Sequence, residues 1–261
     1  MIPDRQILAE ARKRIHPFIH QTPVLTCGSI DNMAGAKLYF KCENFQKMGA
    51  FKMRGAANVV LQLKAKEKSK VVTTHSSGNF AQAVELSGKL TGVKATIVMP
   101  SNAPIVKKKA VLGYGAKIIE CEPTLEAREA TALQVVKDTG ATLLHPYNCY
   151  KVIAGNSSAA QELVEQVNSL DTIVAPVGGG GLISGTALAA NYFSNCTTYG
   201  AEPEGADDAF RSFKSGKLIP MIDPKTIADG LRTSLGDKGF PMIQKYVCLL
   251  YTSAAADDSL R

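Results

Sequence analysis

No tryptophan occurs in the sequence, and neither basic cluster, Lys64/Lys66/Lys68/Lys70 nor Lys107-Lys108-Lys109, is interleaved with aromatic residues. Cations without stacking platforms give no support to nucleic-acid binding. They read instead as solvated helix faces and as a field that favours anionic ligands. The six cysteines (Cys27, Cys42, Cys121, Cys149, Cys196 and Cys248) include no C-x-x-C pair. That spacing argues against a zinc site or a disulfide framework and for a reducing, cytoplasmic compartment. The opening residues lack an apolar run, because Asp4, Arg5, Glu10, Arg12, Lys13 and Arg14 interrupt it, so no signal peptide is expected. One stretch, Thr172 to Ala190, carries no charge, but its five glycines and Pro176 suit a strand followed by a helix better than a membrane span.

What is present is ordinary for a globular α/β protein: 261 residues, 45% hydrophobic and 20% charged, with a net charge of +7. This length makes one large or two modest domains. The most informative stretch is Ala175-Pro176-Val177-Gly178-Gly179-Gly180-Gly181-Leu182-Ile183-Ser184-Gly185. An apolar strand enters it and a helix over Leu182–Phe193 leaves it. Consecutive glycines are costly in backbone entropy, so they mark a close approach, here of N–H groups to a phosphate. The Walker pattern fails for want of a lysine after Gly185, and G-x-G-x-x-G fails at Ile183 and Ser184. Glu202 stands about 20 residues on, where a ribose-binding acid would be found. A dinucleotide therefore stays open beside a small phosphate-bearing cofactor.

Asp4 caps a helix to Ile15 that places Ile7, Leu8, Ala11 and Ile15 on one face. Lys37–Cys42 alternates as a strand. Lys52 opens a helix reaching about Lys66. It is either a surface lysine or, among Phe51 and Met53, an amine of lowered pKa that serves as a nucleophile. From Lys70 to Leu144 a strand–helix unit repeats, with strands at Val71–Thr74, Ala95–Met99, Lys117–Glu120 and Thr142–Leu144, which predicts a small open parallel sheet. Its first turn, His75-Ser76-Ser77-Gly78-Asn79, is either a helix cap or an anion cradle for a carboxylate. Lys151–Asn168 reads as one long helix. Glu202 to Asp208 is either the start of a helix or a hard-cation site.

Ala50-Phe51-Lys52-Met53-Arg54-Gly55, His75-Ser76-Ser77-Gly78-Asn79, Pro176-Val177-Gly178-Gly179-Gly180-Gly181-Leu182 and Thr226-Ile227-Ala228-Asp229-Gly230 together resemble the fold-type-II pyridoxal-phosphate enzymes, in the serine racemase and serine/threonine dehydratase group. The resemblance runs from about Ile7 to Tyr246. It implies a tryptophan-synthase-β-like α/β fold of two open parallel-sheet domains with flanking helices. Residues 1–69 and 149–261 form the large cofactor domain and 70–148 the small one. By the same resemblance Lys52 is the Schiff-base lysine and general base, and Gly178, Gly179, Gly180 and Gly181 hold the phosphate. Asn79 meets the pyridine hydroxyl, Phe51 packs beside the ring, and Gly230 borders the cofactor. Ser76, Ser77, Asn79 and Phe80 take the substrate carboxylate, Ser77 is the acid/base on the opposite face, and Arg128 lies near the substrate. Glu202, the Ala206 carbonyl and Asp208 match ligands for Mg²⁺ or Ca²⁺, and the family implies a homodimer.

The implied reaction is deamination by β-elimination, racemisation, or both, of serine, threonine or a related β-hydroxy amino acid. Rivals are β-replacement of the cysteine-synthase kind, a non-catalytic ligand-binding remnant and a dinucleotide-binding domain. Phe80 replaces the family's usual histidine and is expected to narrow the carboxylate end of the pocket. Ala81 is more like the dehydratases than the racemases. After Tyr246 the expected segment with a serine or threonine for the pyridine nitrogen does not follow. Val247–Arg261 reads as foreign to the fold, Ala254-Ala255-Ala256-Asp257-Asp258 has no amphipathic pattern to pack, and the expectation is a truncated, poorly soluble and poorly active chain.

Overall fold

The computed structural model describes residues 1–63, 71–76 and 78–254. Helix α1 (Arg5–Ile15) begins at Asp4, whose carboxylate accepts the Ile7 N–H at 2.9 Å. Leu8, Ala11 and Ile15 are fully buried, but Ile7 is 38% exposed. The face turned to the core is a narrow i, i+3, i+7 stripe, and Ile7 falls at its edge. The alternating stretch 37–42 yields only β2 (Phe40–Lys41), paired antiparallel to β1 (Val24–Leu25), with α2 (Gly28–Ala34) between them. The partner offers two residues, so pairing stops there. Helix α3 (Lys52–Leu61) follows. Its expected extension to Lys66 and the Lys64/Lys66/Lys68/Lys70 cluster fall in residues 64–70, outside the described residues.

The strand–helix repeat builds the first sheet from β3 (Val71–Thr74), α4 (Asn79–Thr91), β4 (Lys94–Pro100), α5 (Ile105–Tyr114), β5 (Lys117–Cys121), α6 (Leu125–Thr139) and β6 (Thr142–Leu143). Its order is β5-β4-β3-β6 and every pairing is parallel. The chain thus starts in the middle of the sheet and reverses direction of growth, so the turn after β3 opens beside a crevice, the usual ligand position in open sheets. That turn carries His75, Ser76 and Gly78.

The second sheet, β7 (Thr172–Pro176), β8 (Thr197–Pro203) and β9 (Leu249–Ser253), is also parallel. Around it lie α7 (Tyr150–Asn156), α8 (Ser158–Gln166), α9 (Gly181–Phe193), α10 (Asp208–Ser215) and α11 (Phe240–Tyr246). The one long helix expected over Lys151–Asn168 is therefore two. Helix α9 crosses at the break: a Cβ on Gly185 would lie 2.7 Å from the Ile153 carbonyl oxygen and 2.8 Å from the Ser157 nitrogen. Ser157 at the join keeps right-handed helical dihedrals (φ −58°, ψ −23°), its N–H donates to the Ile153 carbonyl at 3.1 Å, and its hydroxyl turns back to the Ala154 carbonyl at 2.6 Å.

The expectation that Val247–Arg261 is foreign to the fold is corrected over its first part. Leu249–Ser253 pairs residue for residue with Tyr199–Pro203, and Val247 and Leu250 are buried beside Val177 and Ile243. The pattern is a short alternation, too brief to stand out in a sequence ending in small residues. Residues 255–261 lie outside the described residues. Among the described residues no helix is long and apolar enough to cross a membrane.

Candidate active site

Between the two sheets lies a cavity of about 270 Å³. Lys52, at the first turn of α3, opens onto it, as do Ser76, Asn79 and Phe80 from the β3–α4 turn, Arg128 from α6, and Gly230. The structure therefore brings together residues that the sequence separates by up to 178 positions, from Lys52 to Gly230. Ser77 is the exception, because it lies outside the described residues.

Lys52 is half-buried, and its Nζ donates to the Pro146 carbonyl oxygen at 3.5 Å. The Phe51 ring centroid lies 5.0 Å from the same Nζ. No carboxylate pairs with Lys52 among the described residues, and desolvation lowers its pKa to about 8. The backbone cause lies two residues on: Arg54, wholly buried, binds Glu43 and Glu162 and fixes the start of α3. A lysine on a pinned helix end, facing a cavity without a counter-ion, has the lowered basicity of an amine nucleophile.

The four glycines do not line this cavity. Gly178 to Gly180 form the turn into α9, and Gly180 stands at φ +85°, a left-handed geometry glycine adopts freely. Tyr147 intervenes: its ring covers Gly179, where an added Cβ would lie 2.3 Å from ring carbons. Gly181 has the Tyr147 backbone beside it, an added Cβ falling 3.1 Å from its Cα. On the other side the Gly230 carbonyl oxygen and Leu231 Cα stand 3.3 and 3.1 Å from a Cβ on Gly178. Backbone alone fits this turn, at the N-terminus of a 13-residue helix whose N–H groups favour an anion. With Lys52 on the cavity beyond Tyr147, the anion-favouring turn and the amine are the two groups a cofactor with a phosphate and an aldehyde requires.

Sequence reasoning missed the ring cluster behind the cavity. His145 stacks edge-on with His75 at 5.5 Å and with Tyr147 at 4.7 Å between centroids. Burial lowers His145 to about 4 and also lowers His75. His145 Nδ1 accepts the Asn148 N–H at 3.0 Å, so the neutral ring is held in one tautomer. The signal available was His145-Pro146-Tyr147-Asn148 directly after β6. Lys107, from a cluster read as a solvated face, also reaches the cavity.

Glu202 and Asp208 are buried at 2% and 0% exposure, with Ala206 between them at 1%. Glu202 accepts N–H groups of Ala209 at 3.2 Å and Phe210 at 2.8 Å. That commitment removes it from any ribose-binding role and corrects the dinucleotide reading. Desolvation pushes Glu202 up to about 8 and Asp208 up to about 6, each helped by neighbouring carboxylates. Asp208 Oδ2 accepts the Leu235 N–H at 2.7 Å, while its Oδ1 is buried with no partner. Among the described residues no group of three or more His, Cys, Asp or Glu side chains gathers for a metal. Two carboxylates, one with an orphaned oxygen, and a backbone carbonyl are nonetheless the hard-oxygen donors a Mg²⁺ or Ca²⁺ ion takes.

Two open sheets with a lysine-bearing cavity between them place the chain among α/β enzymes built around a phosphate-bearing carbonyl cofactor. Residues 15–257 match the family described as pyridoxal-phosphate dependent enzyme, and the chain belongs to that family. It is 49% identical over 241 residues to the serine racemase of Dictyostelium discoideum, covering 91% of this chain and 74% of that protein. It is 46% identical over 257 residues to the β-hydroxyaspartate dehydratase of Paracoccus denitrificans, covering 98% of this chain and 82% of the other. Among solved structures, maize serine racemase superposes with a TM-score of 0.95 at 46% identity, over 97% of this chain and 77% of that one.

Proposed function

We propose that the chain is a pyridoxal-phosphate-dependent ammonia-lyase and racemase acting on serine, threonine or a related β-hydroxy amino acid. One observation carries the reading: the Lys52 amine, lowered to about 8, opens onto the same cavity as Ser76 and Asn79. The cofactor, when bound, supplies an electron sink that acidifies the substrate Cα–H. Gly178, Gly179, Gly180 and Gly181 would hold its phosphate, Asn79 its pyridine hydroxyl, Phe51 would pack beside its ring, and Gly230 would border it. Ser76, Asn79 and Phe80 hold the substrate carboxylate near Arg128. Lys52 would hold the cofactor, and its free amine would take the substrate Cα proton as general base. Departure of the β-hydroxyl leads, after hydrolysis, to a 2-oxo acid and ammonia. Ser77, outside the described residues, holds the proton for the opposite face, and its return there gives the D-amino acid.

Glu202, the Ala206 carbonyl and Asp208 hold a divalent cation, Mg²⁺ or Ca²⁺, a reading supported by the orphaned Asp208 Oδ1. The domain division, 70–148 set into 1–69 and 149–261, is supported by the two separate sheets. A cytoplasmic setting is supported by six free cysteines, and a homodimer without nucleic-acid partners by the family resemblance and the charge pattern. The test is to supply the purified protein with pyridoxal phosphate and follow 2-oxo acid and D-amino acid from L-serine and L-threonine. Product is expected from the unmutated chain and none from Lys52→Ala. Equal product from both, or product from neither, overturns the reading.

A further inference from the structure

The segment after β6 has two faces. Pro146 and Tyr147 line the cavity that holds Lys52, whereas His145, Asn148 and Cys149 line a second cavity of about 590 Å³. That cavity lies among α1, β6 and α7, and none of the residues assigned above to cofactor or substrate borders it. Pro3 and Ile7 at the start of the chain, Leu143 on β6 and Ala154 on α7 give it an apolar wall. Ile7 and Leu143 are 38% and 37% exposed, so this wall is open to solvent. The rest of the lining is polar. His145 Nδ1 accepts the Asn148 N–H at 3.0 Å, so the neutral ring carries its proton on Nε2, and that N–H has no acceptor among the described residues. Lys151 and Lys238 line the cavity and form no ion pair among the described residues. Arg14 donates to Asn58 Oδ1 at 2.7 Å and stands 4.0 Å from Glu10, so these two charges offset each other. Asp237, next to Lys238, accepts the Asn148 amide at 2.6 Å and does not line the cavity.

A ring N–H without an acceptor, two uncommitted ammonium groups and an apolar wall call for an amphipathic anion. Inorganic phosphate would leave the wall in water, and a neutral alcohol would leave the cations unused. The volume falls within the roughly 300–1,000 Å³ of small-molecule sites, which pair a mostly apolar lining with a few placed polar groups. We infer that the second cavity is a ligand site for an amphipathic monocarboxylate, with the carboxylate on His145 Nε2 and Lys238 and the hydrocarbon on Ile7 and Leu143. The catalytic side senses the occupant through the shared segment. The Pro146 carbonyl accepts Lys52 Nζ at 3.5 Å, the Tyr147 ring covers Gly179, and the Lys52 charge reaches the His145 ring. Cofactor loading consumes the Lys52 charge and adds a phosphate, so it weakens the hold on an anion in the second cavity. By reciprocity the anion weakens cofactor binding by the same factor. The site stands apart from the reaction proposed above, since its binding is measured without substrate.

Titration calorimetry on the cofactor-loaded chain compares 4-phenylbutyrate, 4-phenyl-1-butanol and 4-phenylbutylamine. The carboxylate is expected to bind roughly tenfold tighter than the alcohol, the worth of a charge-assisted hydrogen bond, and the amine to bind weakest. Lys238→Glu should erase the margin over the alcohol, and Ile7→Glu should weaken the carboxylate by a similar factor. Ile7 is already part-exposed, so the second variant keeps the fold. Equal affinities for the three probes, or a carboxylate affinity that neither substitution lowers, overturns the inference. Alkylation of the half-buried Cys149 by N-ethylmaleimide, read by peptide mass spectrometry, locates the probe. Saturating 4-phenylbutyrate should slow it severalfold, and an unchanged rate overturns the site. The cofactor-free chain should bind 4-phenylbutyrate severalfold tighter than the loaded one. Equal affinity in the two forms overturns the communication with Lys52. Complete loss of binding on loading places the probe in the catalytic cavity and overturns the site.

Discussion

Arg54 and Glu162 meet as two parallel hydrogen bonds, Nη1 to Oε1 at 2.7 Å and Nη2 to Oε2 at 2.8 Å, with both side chains out of solvent. The other edge of Arg54 grips Glu43, Nε to Oε2 at 2.7 Å, and Lys41 adds a second cation to Glu162 at 2.7 Å. These contacts tie the turn that carries Lys52 to α8 of the neighbouring sheet unit. Removing one member strands the others. Arg54→Met should cost about 3–5 kcal/mol, as a broken buried pair does. Denaturant unfolding measures this; a loss under 1 kcal/mol would show that the network is inert.

Because desolvation brings Lys52 to about 8, the cofactor-free protein should react with pyridoxal phosphate at a rate that rises with pH and levels off near that value. An ordinary lysine would keep gaining to about 10.4. Stopped-flow absorbance across pH 6–10 reads the midpoint, and a midpoint above about 9.5 refutes the lowered basicity.

Gly179→Ala places a methyl group where the Tyr147 ring stands, 2.3 Å away. The ring or the cradle must shift, so cofactor affinity should fall at least tenfold. Tyr147→Ala combined with Gly179→Ala should recover part of the loss, which equilibrium dialysis with pyridoxal phosphate will show. An unchanged dissociation constant in the single variant would mean the phosphate sits elsewhere.

Asp208→Asn or Glu202→Gln should abolish the thermal stabilisation given by Mg²⁺ or Ca²⁺. For the unmutated chain, binding at a hundredfold excess over Kd contributes about 2.7 kcal/mol, a rise of roughly 5–10 °C for a chain of this size. Differential scanning calorimetry with and without the cation decides; no rise in the unmutated protein removes the site.

Much of the fold could be read because period and punctuation agree. Val71–Thr74 stands where the strand was expected, and Lys117–Cys121 runs one residue past its expected end. The misses come from tertiary contact. Strand β9 exists because β8 offers it an edge. In the site, the motifs pointed to Lys52, Asn79 and Gly230, since each carries a local signature. Lys107 carries none, being a lysine among lysines, and Tyr147 has only its place in His145-Pro146-Tyr147-Asn148, so it is the fold that aims them at the cavity.

Where α3 crosses α7, Gly55 and Gly155 leave no room between the two backbones. A Cβ on Gly155 would lie 2.5 Å from the Arg54 carbonyl oxygen and 2.8 Å from Gly55 Cα. The spacing of these helices is therefore set chiefly by main chain against main chain, with the Val152, Asn156 and Asn58 side chains packed beside the contact. Core substitutions elsewhere can loosen or tighten the protein while the amine keeps its station. Stability and reach are thereby uncoupled, which leaves the cavity wall opposite Lys52 free to vary its choice of substrate without disturbing the chemistry it serves.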